Sequence, residues 1–286
     1  MTTLSPSRDR RISRRVLEVA YTPDSDDVFN FYAWEQGYVK LDCFTPRFGR
    51  SHIAMLNRAA EGGLYDVVAI SSVMYPALAE KYSILAVGSS VGRGYGPVLV
   101  SKEHGSPESL RGRVIAVPGT NTTGGTLARM YCPQAKFVPM PFNIIADAVL
   151  CGQVDAGVMI HEELVHFPAL GLRCVLDLGK AWCDDNNLPL PVGLNVVKKS
   201  LGADTAREIA RTCRDSLLWG LSHKEEAMDF ASRFGRDRAG TFVPMFSNDD
   251  TLCMPDDVRR GLRVLFGQLS ERGWAPSLES FEVIDA

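Results

Sequence analysis

Hydrophobic and polar positions follow one repeated order along the chain: a short apolar run, a turn of small polar residues and then a helical pattern. The apolar runs are rich in Val, Ile and Ala and cover residues 16–21, 66–70, 113–117 and 155–160. Short continuous runs of this kind are typical of strands that are buried on both faces. Because a helical pattern follows each run, the sequence predicts βαβ units and parallel strands.

Two further strand patterns, at residues 97–102 and 193–198, interrupt this alternation and are predicted to cross between domains. The segment between them is long enough to form an α/β domain of its own. We therefore predict a loose tail at residues 1–14, a discontinuous α/β domain at 15–101 and 194–286, and an inserted α/β domain at 102–193. The predicted fold is an α/β protein of two lobes, with two mixed, mainly parallel sheets and helices around a central cleft.

The end of the chain is predicted to be helical from about residue 200 onward. In its last helical pattern the apolar positions recur three, four and seven residues apart, which places them on one helix face. These positions are Val258, Leu262, Leu265, Phe266 and Leu269.

Composition and charge exclude several classes of protein. The 286 residues carry a net charge of -3, which gives no electrostatic case for binding nucleic acid. No run of about 18 apolar residues occurs, so a membrane-spanning helix is not expected. Seven cysteines without a C-x-x-C pair indicate reduced thiols rather than a zinc ribbon or a disulfide scaffold. The arginines of residues 8–15 precede no apolar signal core, and we therefore expect a cytoplasmic protein.

Small polar residues follow several of the predicted strands, where open α/β sheets bind their ligands. Thr122, Thr123 and Gly124 open a helix whose free backbone N–H groups can receive an anion. Ser71 and Ser72 follow another strand in the same way. For Thr122 and for the two serines, plain helix capping is an equally good explanation.

His161 ends the strand pattern 155–160 and is the candidate general base, since imidazole titrates near neutral pH. A structural histidine is the alternative. Asp24, Asp26 and Asp27 precede or begin the first helix, and three carboxylates in four residues exceed what capping needs. We expect at least one of them to face a ligand. No metal site is expected, because His161 and His166 are five residues apart and do not share a helix face.

Several stretches together resemble the 1,4-dihydroxy-6-naphthoate synthase family of menaquinone biosynthesis. They include G-R-G-Y-G-P at residues 92–97, the Pro118-Gly119 pair with Thr122 and Thr123, and G-Q-V-D-A-G-V-M-I-H-E at residues 152–162. Residues 69–75, 188–193 and 246–252 match as well. The matches fall in order from about residue 16 to residue 270, which is nearly the whole chain.

The resemblance implies a fold like that of type 2 periplasmic binding proteins and an enzyme that works without metal or redox cofactor. The implied reaction is the lyase conversion of cyclic dehypoxanthine futalosine to 1,4-dihydroxy-6-naphthoate, with His161 as the base. The implied partner is a small anionic metabolite in the cleft between the lobes, bound by a monomer or homodimer. The residues expected to bind it are Ser71, Ser72, Thr122, Thr123, Gly124, Asp26 and Asp27.

The first turn departs from the family pattern S-P-C-P-N-D-T-F, because Asp24 and Asp26 stand where that pattern has Cys and Asn. Two added carboxylates would repel an anionic substrate unless they are paired or point away from it. The alternatives are a binding protein for a small metabolite and an enzyme acting on a different cyclic substrate.

Overall fold

The strands and helices are defined in a computed structural model that describes residues 15–235 and 238–286. The predicted tail at residues 1–14 lies outside the described residues. The strands of the described part are β1 (Arg15–Tyr21), β2 (Phe44–Arg50), β3 (Val67–Ser71), β4 (Tyr82–Leu85), β5 (Ser90–Gly92), β6 (Val98–Ser101), β7 (Val114–Val117), β8 (Lys136–Pro139), β9 (Ala156–Met159), β10 (Arg173–Asp177), β11 (Leu190–Lys198) and β12 (Val283–Ile284).

The α-helices of the same ranges are α1 (Ser25–Glu35), α2 (Ile53–Glu61), α3 (Tyr75–Leu78), α4 (Thr123–Tyr131), α5 (Phe142–Leu150), α6 (Glu163–His166), α7 (Leu178–Asn186), α8 (Ala203–Ser222), α9 (Lys224–Ser232), α10 (Ala239–Phe246), α11 (Asp249–Leu252) and α12 (Asp256–Glu271). None of the described helices is both long enough and apolar enough to cross a membrane. In α12 the five predicted apolar positions are all buried, which confirms its amphipathic pattern.

The strands form two mixed sheets, as predicted. In the described residues one sheet has the order β12-β4-β11-β3-β1-β2, with β5 paired to β11, and the other has the order β10-β6-β9-β7-β8. The pairs β2-β1-β3 and β8-β7-β9 are parallel. The strands β11 and β6 pair antiparallel with their neighbours, so the parallel share is smaller than the sequence pattern indicated.

Sheet membership changes a few residues away from the predicted domain boundaries. The strand β6 was expected in the outer domain, but it pairs with β9 and β10 in the sheet of the inserted segment. The strand β11 begins at Leu190, inside the predicted insert, and belongs to the outer sheet. We therefore keep the two-domain division as a proposal, with the outer domain ending before β6 and resuming at β11.

The first helix is buried along nearly its whole length. Of its eleven residues all but Glu35 are buried, and it packs against α8, α9 and α10. The first turn of α1 contains Asp26 and Asp27, so this packing encloses two carboxyl groups in the interior. Enclosing them requires hydrogen bonds or protonation, because an isolated buried carboxylate is strongly unfavourable.

The glycine-rich stretch 92–96 is a tight connection between β5 and β6 rather than a nucleotide loop. A Cβ atom on Gly96 would lie 2.8 Å from Cα of Gly179, and one on Gly179 would lie 2.4 Å from both Cα and N of Gly96. The two backbones therefore touch where the chain passes between the sheets. Only glycine leaves room for this contact.

We predict that Gly179→Ala lowers the free energy of unfolding by about 2 kcal/mol or more, because its methyl group would overlap the backbone of Gly96. The matched control is Gly267→Ala in α12, where a Cβ atom meets nothing within 4 Å. That control is expected to stabilise the protein by about 0.5–1 kcal/mol through helix propensity. Urea unfolding of both variants tests the contact, and equal effects would contradict it.

Candidate active site

An open cavity of about 530 Å³ lies where β3 and β9 end and where β11, α1 and α4 begin. Its polar lining includes Asp24, Asp26, Ser71 and His161. Its apolar lining consists of Ile53, Pro97, Ile160, Leu164, Val192, Phe242 and Phe246. We call this cavity the outer chamber. Its mixture of apolar surface and a few polar groups is typical of sites for small molecules.

A second cavity of about 300 Å³, the inner chamber, continues from the first. The two chambers share the side chains of Asp24, Asp26, Ile53 and Ser90. The rest of the inner lining is mixed: Thr22, Asp27 and Asn195 are polar, and Ala69, Ile70 and Leu194 are apolar. A ligand that occupies both chambers would thus meet a mainly apolar surface in the outer one and a more polar surface in the inner one.

His161 forms an ion pair with Asp24 across the two sheets. The ring atom Nδ1 contacts a carboxylate oxygen of Asp24, and the two side chains are only 12% and 6% exposed. The edge of the ring packs against Phe142, with the ring centroids 4.7 Å apart. His161 has a φ of 54°, in the left-handed region that residues with a side chain seldom adopt. Backbone strain of this kind is concentrated at functional sites.

The pair changes the protonation of both partners. Burial disfavours the charged forms of both groups, but each is the counter-charge of the other. The Asp24 carboxylate raises the pKa of His161, with smaller contributions from Glu162 and Asp27. Against the effect of burial, His161 and the Thr22 hydroxyl lower the pKa of Asp24. Asp24 therefore stays ionised and fixes the position of the imidazole.

Asp27 shares a hydroxyl group with Asp24. The hydroxyl oxygen of Thr22 lies 2.5 Å from Oδ1 of Asp24 and 2.6 Å from Oδ2 of Asp27. A hydroxyl has one proton to donate, so the second contact needs a proton on a carboxyl group. Burial, together with the charge of Asp24, raises the pKa of Asp27 to about 7. The raised pKa of Asp27 and the lowered pKa of Asp24 favour Asp27 as the carboxyl that holds this proton.

Glu162 and Asp26 complete a group of four buried carboxyls around one histidine. The backbone N–H and the hydroxyl of Ser25 both donate to Oε1 of Glu162, at 2.8 and 2.7 Å. Burial and the charge of Asp24 nevertheless raise the pKa of Glu162. Among the described residues Oδ1 of Asp26 has no hydrogen-bond partner. Burial and the neighbouring carboxylates raise the pKa of Asp26 well above its ordinary value, which favours its neutral form.

The beginning of α4 supplies backbone donors rather than free hydroxyls. The Thr122 hydroxyl donates to O of Gly119 at 2.8 Å and accepts from N of Gly125, so it caps the helix. The Thr123 hydroxyl donates to O of Val192 at 2.6 Å, which ties α4 to β11. Gly124 lines the outer chamber. The first N–H groups of a helix lack partners within the helix and can bind an anion here.

The two serines predicted after β3 occupy different environments. Ser71 lines the outer chamber, and its hydroxyl accepts a hydrogen bond of 3.1 Å from Nδ2 of Asn57. The same amide group donates to O of Asn121, so it connects β3 with the loop before α4. Ser72 is fully buried and is absent from the lining of both chambers.

The structure therefore brings most of the predicted site residues to one place. Those that line the outer chamber are Asp26, Ser71, Thr122, Thr123, Gly124 and His161. Asp27 lines the inner chamber, and Ser72 lies outside both. Glu162 and Asn195 were not among the predicted site residues, although Glu162 directly follows His161. Asp24 was expected to cap the first helix, to face a ligand or to repel an anionic substrate, and in the structure it is the partner of His161.

The described part of the chain contains no cluster of side chains that resembles a metal site. No group of three or more His, Cys, Asp or Glu side chains is arranged there to hold a metal ion.

Comparison with known proteins identifies relatives over most of the chain. A family model described as menaquinone biosynthesis matches residues 17–271. The 1,4-dihydroxy-6-naphthoate synthase of Thermus thermophilus is 31% identical over 264 residues, which are 91% of this chain and 96% of that protein. The protein of the same name from Streptomyces coelicolor is 30% identical over 278 residues, with coverage of 93% and 97%.

Solved structures confirm the fold class. A protein from Archaeoglobus fulgidus superposes with a TM-score of 0.86 at 39% identity, covering 90% of this chain and 98% of that one. The alkanesulfonate-binding protein of Xanthomonas axonopodis pv. citri, solved bound to MOPS, superposes with a TM-score of 0.71. It covers 95% of this chain and 98% of its own at 10% identity, so this likeness shows the fold alone. The fold is that of a periplasmic binding protein.

The neutral state of Asp26 predicts how stability depends on pH. An acid whose pKa is raised in the folded state loses stabilising free energy as pH rises from its ordinary pKa toward the raised one. Asp26→Asn removes this loss. We expect the variant to be about 1–3 kcal/mol more stable than the parent at pH 8, with a smaller gain at pH 5.

Denaturant unfolding at both pH values measures this difference. The control is Asp229→Asn, whose parent side chain is 76% exposed and whose change should have little effect at either pH. A gain for Asp26→Asn that is equal at pH 5 and pH 8 would contradict a raised pKa for Asp26.

Proposed function

The chain belongs to the menaquinone-biosynthesis family, and we propose that it is the lyase that converts cyclic dehypoxanthine futalosine to 1,4-dihydroxy-6-naphthoate without a cofactor. The observation that carries this proposal is the buried His161–Asp24 pair at the edge of the outer chamber. A base held by a carboxylate beside an open cavity is what a proton abstraction requires. A protein that only binds a metabolite has no need of such a pair.

The pair leaves one ring nitrogen of His161 for the reaction. In the neutral imidazole, Nδ1–H donates to Asp24, and the lone pair of Nε2 can accept a proton. Removal of a proton from a carbon next to a carbonyl group starts the elimination of the sugar-derived part of the substrate. The aromatic ring of the product supplies the driving force. A positioned base of this kind contributes about 10²–10⁴-fold to the rate.

The outer chamber offers complementary surfaces for an aromatic carboxylate. Phe242, Phe246 and Ile160 present apolar surface to the ring system. The N-terminus of α4 presents backbone N–H groups to the carboxylate or to a developing oxyanion. In residues 15–235 and 238–286 no lysine or arginine lines either chamber, so in this part the helix end is the available anion site.

The charges of the first turn are compatible with an anionic substrate. The Asp24 carboxylate is held by Nδ1 of His161, and burial favours the neutral form of Asp26. Asp24, which stands where the family pattern has Cys, therefore serves as the partner of His161 and does not act as a free charge that repels the substrate. The binding of a small anionic metabolite, a monomeric or homodimeric state and a cytoplasmic location remain parts of the proposal.

We predict that the purified protein forms 1,4-dihydroxy-6-naphthoate from cyclic dehypoxanthine futalosine and that His161→Ala lowers kcat by about 10²-fold or more. The dissociation constant of the substrate should change much less, because the ring acts mainly in the transition state. His223→Ala, a histidine on the protein surface that stacks on Trp219, is the matched control and should keep full activity. Product is followed by absorbance and mass.

Two results would contradict this function. Full activity of His161→Ala would remove His161 from the mechanism. A folded parent protein that forms no product would favour a binding protein or an enzyme for another cyclic substrate.

The contact with Asp24 predicts a change in the pH dependence of the reaction. The active form of the base is the neutral imidazole, which is populated above the pKa of His161. Since Asp24 raises this pKa, Asp24→Asn should move the acid limb of the kcat/KM profile to lower pH. The lost orientation of the ring should reduce the plateau by about 10-fold or more.

Asp24→Cys, which restores the residue of the family pattern, is the comparison variant and should move the limb in the same direction. An acid limb that stays at the parent pH in both variants would show that Asp24 does not control the base.

A further inference from the structure

Two buried oxygen atoms of the inner chamber lack a hydrogen-bond partner among the described residues. They are Oδ1 of Asp26 and Oδ1 of Asn195, on side chains of residues that are 3% and 1% exposed. Asp26 begins α1, and Asn195 lies in the middle of β11, so neither sits on a loop. Leaving a buried polar group unpaired costs about 1–3 kcal/mol. Two such groups in one cavity indicate a ligand that supplies the missing partners.

Most of the other polar groups of the inner chamber are already engaged. Asp24 is paired with His161, and the carboxyl of Asp27 is hydrogen-bonded to both the N–H and the hydroxyl of Thr22. Gly88 lines the chamber beside Asn195, and a Cβ atom on it would lie 2.0 Å from Nδ2 of Asn195. The glycine therefore provides the space in which the Asn195 amide is held. Besides the Ser90 hydroxyl, Asp26 and Asn195 are the polar side chains that the chamber presents to a ligand.

We propose that the inner chamber is a subsite for the hydroxyl-bearing, sugar-derived part of the substrate, recognised by Asp26 and Asn195. Oδ1 of Asn195 accepts a hydrogen bond from a substrate hydroxyl. The neutral carboxyl of Asp26 donates to one substrate oxygen and accepts from another. This inference rests on the proposed function, because that reaction supplies a substrate with a carbocyclic part and a hydroxylated part.

The charges around Asp26 keep it in the state that this subsite needs. The groups that face it are Asp24 and Asp27 of the same turn and Glu162 across the cleft, with His161 paired to Asp24. The only positive charge among these groups is the imidazolium of His161, and it is already paired with Asp24. An ionised carboxylate at Asp26 would therefore have no counter-charge. A neutral carboxyl has one donor and one acceptor oxygen, which is the pattern that complements an alcohol.

The arrangement of the two chambers places the base at their junction. Asp24 and Asp26 line both chambers, while His161 lines the outer one. With the ring system in the outer chamber and the hydroxylated part in the inner one, the bonds that join them lie beside His161.

The test compares ligands that do and do not reach the inner chamber. Cyclic dehypoxanthine futalosine contains the sugar-derived part, and the product 1,4-dihydroxy-6-naphthoate lacks it. We expect Asp26→Ala and Asn195→Ala each to raise the dissociation constant of the substrate by about 10-fold, measured calorimetrically in the inactive His161→Ala background. The dissociation constant of the product should stay within about 2-fold.

Asp26→Asn is the matched control, because the amide keeps one donor and one acceptor and has nearly the same shape. It should bind the substrate within about 3-fold of the parent. Circular dichroism and the melting temperature of all three variants distinguish a loss of substrate recognition from misfolding.

The outcomes separate this inference from the proposed function. One outcome would overturn the subsite alone: the parent protein turns the substrate over, but the alanine variants do not weaken substrate binding more than product binding. This includes variants that keep both affinities and variants that lose both to the same extent. A parent protein that neither binds nor converts the substrate would overturn the proposed function and the subsite with it. Selective loss of substrate binding in both alanine variants supports the subsite.

Discussion

The contact between Asp24 and His161 is the interaction on which the site depends. Asp24 lies after a strand of the outer sheet and His161 after a strand of the inserted sheet, 137 positions later in the chain. Their contact requires that the two sheets face each other with their strand ends aligned. The neighbouring bonds from Ser25 to Glu162 cross the same gap. The base is therefore assembled only when both parts of the chain are folded and approach each other.

Burial of this pair imposes a constraint on charge. Asp24, Asp26, Asp27, Glu162 and His161 are enclosed within one small region, and one imidazolium cannot balance four carboxylates. The structure resolves the excess in different ways at different residues. Asp24 keeps its charge through His161, Glu162 accepts two hydrogen bonds, and Asp26 and Asp27 hold protons. A nearly neutral site that retains hydrogen-bonding groups can receive an anionic ligand at the end of α4.

Much of this architecture follows from patterns that are local in the sequence. The apolar runs that become β1, β3, β7 and β9 are buried on both faces, so their composition is sufficient to predict them. The strands β2 and β8 were missed because they are edge strands, whose exposed and polar positions break the apolar pattern. The helix expected after the apolar run 66–70 is short, because α3 ends at Leu78 and the fully buried Tyr82 begins β4.

The site shows the same division between local and long-range information. His161, Thr122 and Thr123 could be predicted because His161 directly follows a strand pattern and the two threonines begin a helical pattern. The pairing of His161 with Asp24, and the enclosure of Asn195 opposite Asp26, depend on contacts between distant segments that no local pattern encodes. The three acids of the first turn were a usable signal, since their number exceeded what a helix cap needs. Their separate roles became clear only from the partner that each one meets.

The protonation of the His161 ring tests the central claim most directly. Nitrogen-15 NMR of the histidine side chains across pH, with the His161→Gln variant for assignment, identifies which ring nitrogen holds the proton in the neutral form. We expect the proton on Nδ1, a titration with a pKa above the ordinary value for histidine, and a lower pKa in Asp24→Asn. A neutral ring with its proton on Nε2, and a pKa that does not respond to Asp24→Asn, would contradict the assignment of His161 as a base held by Asp24.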